Sequence, residues 1–357
     1  MKFVYLPTTF SKSRAACGLL ALLSLTVLTS FAQAQTRRLA PGVLTTIQPA
    51  PQEAEMFSGP RPLTEVPIAI PGLDYKPNLN PKSKTVFEQA KLSTLRRTIW
   101  NLEFSFKPLR MVDIDMPQAN GKMQRKIVWY MVYRVRNLGS HWKPVEKVEK
   151  FRDPPTGFEA LEHTKFSKEL TDQITVFGKE SAELRFFPHF VLEGFEFDKE
   201  HLDKQYLDRV IPAAMPAITA REFPGMKNVK LYDSQSIMEV PIGVSKPDAD
   251  KPVWGVVTWE DVDPRIDYFS LYVQGLTNAY RYEDPAGAFK AGDKPGTGRQ
   301  LTHKTLRLNF WRPGDAVEET EEEIRYGMRT ESDPAEQAKI FKLYGATERL
   351  DYEWLYR

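Results

Sequence analysis

From Trp100 onward the apolar residues of this chain recur at every second position, and that period decides its fold class. Trp100, Leu102, Phe104 and Phe106 alternate with Asn101, Glu103, Ser105 and Lys107, the pattern of a strand with one dry and one wet face. Pro108 ends or bends it, and Val112, Ile114 and Met116 make a second alternating set. Asn120-Gly121 then predicts a hairpin with a type I′ turn, whose two central residues need positive φ. The partner strand runs over Lys126–Asn137. Its centre, Ile127–Tyr133, is apolar at every position, which predicts a central strand buried on both faces. Further strands are predicted at Leu184–Leu192, Val253–Trp259, Ile266–Val273 and Thr305–Trp311. No glycine-rich strand-to-helix turn and no regular strand–helix alternation occur, which disfavours a doubly wound fold. The expected fold class is mainly β: a β-sandwich, of which the immunoglobulin-like arrangement is one form, with one or two peripheral helices.

Three segments are expected. Residues 1–34 have the layout of a secretory signal peptide: Lys2, Lys12 and Arg14 with no acid, the apolar run Gly18–Ala32, and Ala32-Gln33-Ala34 as a small-x-small cleavage site. The run of fifteen residues is short of the roughly twenty that span a bilayer, so no transmembrane anchor is expected after cleavage following Ala34. Residues 35–81 read as a Pro-rich tether, with proline at 41, 49, 51, 60, 62, 67, 71, 77 and 81; Ile68, Ile70 and Leu73 could pin part of it to a surface. A helix over Ser83–Leu95 opens the sandwich body, residues 82–357. One extended core is the preferred reading. The irregular, four-proline stretch 201–245 is the place where two sub-domains would divide. Asp333-Pro334-Ala335-Glu336 predicts a capped helix start and Gly345 its stop. The acidic run Glu318–Glu323 reads as a solvated face or loop.

Charge and cysteine narrow the function classes. Residues 1–34 hold three of the 49 basic residues and none of the 47 acidic ones, which leaves 46 against 47. A chain so balanced gives no electrostatic case for nucleic acid. Cys17 is the single cysteine and precedes the apolar run; once it is removed, disulfides, thiol nucleophiles and thiolate metal sites are excluded.

The search for chemistry finds no G-x-S-x-G elbow and no His-Glu-x-x-His pair among His141, His163, His189, His201 and His303. The densest polar cluster is Glu260, Asp261, Asp263 and Asp267, just past a predicted strand end. It is weighed as a structural loop, as an oxygen-ligand calcium site, and as a carboxylate pair for glycoside hydrolysis. The glycine- and lysine-bearing loop Ala286–Arg299 lacks the ending of a phosphate loop and reads as a hairpin loop. Seven tryptophans lie beyond the signal, and Tyr280 and Tyr282, two apart, can share one strand face as a sugar-stacking ligand site.

Trp100–Asn137 (WNLEFSFKPLRMVDIDMP…GKMQRKIVWYMVYRVRN) and Val253–Tyr280 (VWGVVTWEDVDPRIDYFSLYVQGLTNAY), with the closing Trp354–Arg357, resemble exported proteins of planctomycete-type bacteria, a family with no established function. The resemblance covers most of residues 95–357 and implies an exported β-rich fold; it carries no site residue. The Trp-Tyr-x-Val-Tyr-x-Val-x-Asn pattern is also similar to strands of immunoglobulin-like modules. The expectation is a periplasmic or secreted, non-enzymatic binding or structural protein of the cell envelope. It needs no cofactor, and its partner is an envelope protein or polysaccharide. A carbohydrate-binding module is the alternative, and a hydrolase using the 260–267 carboxylates is third.

Overall fold

The computed structural model describes residues 44–46, 48, 51–58, 95–152, 159–176, 179–195, 204–226, 229–263, 266–288, 290, 293–294, 296–313 and 324–357. The chain divides into two compact units, Met1–Pro41 and Gly42–Arg357, and these residues all belong to the second. The expected signal peptide, Ile68, Ile70 and Leu73, the helix residues before Leu95 and the acidic run Glu318–Glu323 lie outside the described residues.

The protein is mainly β. In chain order its first elements are β1 (Leu44–Thr46), helix α1 (Glu53–Met56), β2 (Phe57–Ser58), β3 (Leu95–Arg96), β4 (Glu103–Phe106), β5 (Arg110–Pro117) and β6 (Met123–Arg136). Then come β7 (His141–Arg152), β8 (Glu159–Thr171), β9 (Ile174–Val176), β10 (Lys179–Ser181), β11 (His189–Phe195), β12 (Lys204–Leu207) and helix α2 (Met215–Glu222). The last set is β13 (Leu231–Tyr232), β14 (Val253–Glu260), β15 (Tyr268–Gln274), β16 (Tyr280–Glu283), β17 (Gln300–Trp311), β18 (Arg325–Tyr326), helix α3 (Pro334–Leu343) and β19 (Tyr352–Tyr356).

Two large sheets face each other. One has the order β1-β4-β6-β14-β13, with β5 also on β6; the other has the order β12-β11-β15-β17-β16, with β18 and β19 also on β17. The period-two pattern explains the packing. Trp129, Met131, Tyr133 and Val135 of β6 enter the same core as Phe190, Leu192, Phe269, Leu271, Leu308 and Phe310 of the opposing sheet. Trp129 meets Phe269 edge-on at 5.4 Å between ring centroids, and Tyr133 lies 5.1 Å from Phe190. The alternate residues Val128, Tyr130 and Val132 face outward, yet they are buried too, under Ile211, Ala214, Ile218 and Phe223 in and around α2. Residues 211–223 therefore cover the outer face of the first sheet. The second compact unit runs from Gly42 to Arg357. One pair, β13–β14, is parallel.

Three local expectations change. The β5–β6 hairpin forms, but Gly121 alone takes positive φ, at 76°, and its N–H bonds the Gln118 carbonyl. This is the three-residue loop with a terminal glycine bulge, which spares Asn120 the strained conformation. The strand expected at Leu184 starts only at His189; Leu184 makes a single bridge to Ile242, since Pro188 interrupts the donors between them. Part of the expected tether is built into the body: β1 pairs with β4, and α1 carries the buried Glu55 and Met56. At the other end α3 starts as the residues require. Asp333 accepts the Ala335 N–H at 2.9 Å, and Gly345 at φ 64° closes the helix with the Ala346 N–H on the Phe341 carbonyl. Among the described residues no helix is long and apolar enough to cross a membrane.

Candidate functional site

Of the four acids expected to converge, Glu260 and Asp261 share Lys126 and Asp263 pairs with Lys204. Glu260 ends β14, where its carboxylate accepts from Arg209 and lies 3.8 Å from Lys126. Asp261 follows in the left-handed region, φ 55°, which turns its side chain into solvent, where both oxygens accept from Lys126 at 3.0 and 3.1 Å. Asp263 accepts from Lys204 at 2.5 Å, and its N–H donates to the Tyr206 hydroxyl. Asp267 contributes its backbone carbonyl to the Arg312 N–H. The structure thus brings Glu260 and Asp261 to one lysine and Asp263 to another. Among the described residues no group of three or more His, Cys, Asp or Glu is placed to hold a metal ion. The physical reason is competition: surface carboxylates pair with the nearest cation unless the backbone holds them together.

Tyr280 and Tyr282 do share one face of β16, and both rings are half-buried. One face of each ring is covered by a cation. The Arg97 guanidinium lies 3.6 Å from the Tyr280 centroid and Arg299 lies 4.6 Å from that of Tyr282, the geometry of a cation stacked on a ring. Trp129 and Trp259 are buried and Trp100, Trp142, Trp254, Trp311 and Trp354 half-buried. Trp254 packs edge-on against Phe223. The exposed large aromatics among the described residues are Phe187 and Tyr352.

Two buried carboxylates escaped sequence reasoning. Glu222, at the end of α2, is held by Lys107 and Arg110 at 3.1 Å each, and accepts from the Tyr130 hydroxyl at 2.8 Å. Glu55 of α1 accepts from Lys304 at 3.0 Å, from the Tyr356 hydroxyl and from the Gln52 N–H. Burial, and then the adjoining carboxylate, pushes the Tyr130 and Tyr356 hydroxyls well above the usual phenol range. Both phenols therefore stay protonated donors, so each cluster works as a lock: Glu222 fastens α2 to the first sheet, and Glu55 fastens the N-terminal segment to the last strand.

Among the described residues, β7 and β8 form a ribbon whose strands pair with each other and with neither large sheet. At about 3.3 Å per residue its twelve-residue first strand is ~40 Å long. The root is anchored: Trp142 and Ile99 exchange two 2.9 Å hydrogen bonds, and Asp172 accepts the Ser140 N–H at 2.8 Å beside the buried His141. Beyond Trp142, and apart from Pro144, which has no N–H, each outer edge offers backbone donors and acceptors, with no further pairing among the described residues. Compared with protein-family models, with curated proteins and with solved structures, the chain shows no match.

Proposed function

We propose that this chain is an exported, non-enzymatic binding protein of the cell envelope, and that it binds through the edge of the β7–β8 ribbon. The open ribbon carries this reading. A two-stranded hairpin of this length is only marginally stable by itself in water, and a further strand added to its edge would satisfy the free backbone groups. The layout of residues 1–34 supports export, with cleavage after Ala34, to the periplasm or beyond; N-terminal sequencing of the exported chain checks that site. The engagement of the Glu260–Asp267 acids and of Tyr280 and Tyr282 within the fold supports a structural role for them over calcium, sugar or hydrolytic chemistry.

The test is a pull-down from envelope extract with the tagged exported chain, with and without calcium, reading proteins and glycans. The expected result is a discrete set of proteins that is lost with Val148→Pro, which blocks the outer edge of β7. Glycan without protein would favour the carbohydrate-binding alternative and place Tyr280 and Tyr282 first. Calcium-dependent capture would return Glu260, Asp261, Asp263 and Asp267 to consideration. Capture unaffected by Val148→Pro would contradict the ribbon.

A further inference from the structure

We propose that β7 is a self-pairing edge: two copies of this chain join antiparallel along β7 about a two-fold axis at Val148. This rests on the binding reading above and names the partner as a second copy.

The mutual hydrogen bonds of Trp142 and Ile99 fix the parity of the strand. Trp142 turns its N–H and C=O away from β8, so the even-numbered residues of β7 present their backbone groups on the free edge. Pro144 has this parity: it removes no bond to β8, and it leaves the free edge without a donor at that one position. A strand that pairs with its own copy must match outward groups with outward groups. The axis must therefore pass through a residue and not between two.

With Val148 on the axis, every opposition from Val145 to Phe151 is complementary; Pro144 falls opposite Arg152, where its missing N–H ends the ladder. Val148 meets Val148, Lys147 meets Glu149, Glu146 meets Lys150, and Val145 meets Phe151, each of the last three twice by symmetry. Moving the axis by one residue sets Lys147 on Lys147 or Glu149 on Glu149, which like-charge repulsion opposes. The outer edge of β8 is the poorer template. Its ladder with β7 skips Leu161, between the pairs Lys150–Glu162 and Phe151–Ala160, and such bulges discourage edge pairing. The product is a four-stranded sheet, β8-β7 of one copy continued by β7-β8 of the other.

Charge exchange tests it on the full chain by sedimentation velocity over a concentration series. The wild type should dimerise. Lys147→Glu sets a carboxylate at position 147 of each copy opposite Glu149 of the other and should weaken the dimer about tenfold or more, as should Glu149→Lys. Lys147 stands opposite Lys165 within the ribbon, so Lys147→Glu does not weaken the hairpin itself. An equimolar mixture of the two variants should form heterodimers, and Lys147→Glu/Glu149→Lys should dimerise again. A wild-type monomer at every concentration, or a dimer that no variant changes, overturns the proposal. A monomer that still captures envelope proteins through the ribbon retires self-pairing alone, whereas a monomer that captures nothing retires the binding reading with it.

Discussion

Tyr133 and Gly255 are partners in the register of β6 and β14, and a Cβ on Gly255 would lie 2.3 Å from the end of the Tyr133 ring. The glycine is there for close approach. Since the ring is fully enclosed, Gly255→Ala should cost about 1–3 kcal/mol of stability through overpacking, read as a lower urea midpoint. The Tyr133 hydroxyl finds no hydrogen-bond partner among the described residues, and burial pushes it well above the usual phenol range. Tyr133→Phe should therefore leave stability unchanged or raise it by about 1 kcal/mol; a clear loss would show a hidden partner. His141 is likewise buried with both ring nitrogens unsatisfied among the described residues. Burial lowers its pKa, opposed by Asp172. The unfolded chain then binds a proton that the folded chain refuses, so its contribution is complete above the ordinary histidine value of about 6.5 and falls as pH drops below it. Equilibrium unfolding at pH 7.5 and 5.5 should show that part of the acid loss vanish in His141→Leu.

At the scale of elements, what was legible in the sequence was whatever repeats locally. The all-apolar Ile127–Tyr133 announced a strand buried on both faces, and Asp333, Pro334 and Gly345 announced both ends of α3, because period and capping act over a few residues. The candidate site was not legible for the opposite reason. Glu260 meets Arg209 across 51 positions, Asp263 meets Lys204 across 59, and Glu222 meets Tyr130, Arg110 and Lys107 across 92 to 115. No local signal announces such pairs, so acid density at 260–267 looked like a site while the buried carboxylates looked like surface. Glu222→Ala should leave Lys107 and Tyr130 buried without their acceptor and cost about 3–5 kcal/mol. Thermal unfolding checks this, and a change under 1 kcal/mol would mean that α2 is held by its apolar contacts alone. Asp333→Ala should cost about 1 kcal/mol through loss of the cap, readable in the same assay.

For the whole molecule, the sandwich core accounts for the apolar periodicity, the coverings α2 and α3 account for outer strand faces that stay dry, and the β7–β8 ribbon is what the core does not use. Its first strand sets apolar residues three apart, at Trp142, Val145, Val148 and Phe151, and not two apart, which is why the ribbon was not legible in the sequence. The most direct measurement of the ribbon's role is amide hydrogen exchange along β7, in dilute chain and again with its binding partner, whether a second copy or an envelope protein. The outward amides of Glu146, Val148 and Lys150 should exchange quickly in dilute chain and become protected in the complex, while those of Val145, Lys147 and Glu149, which face β8, change much less. Protection that is the same in both states would contradict the claim that this edge is where the protein binds.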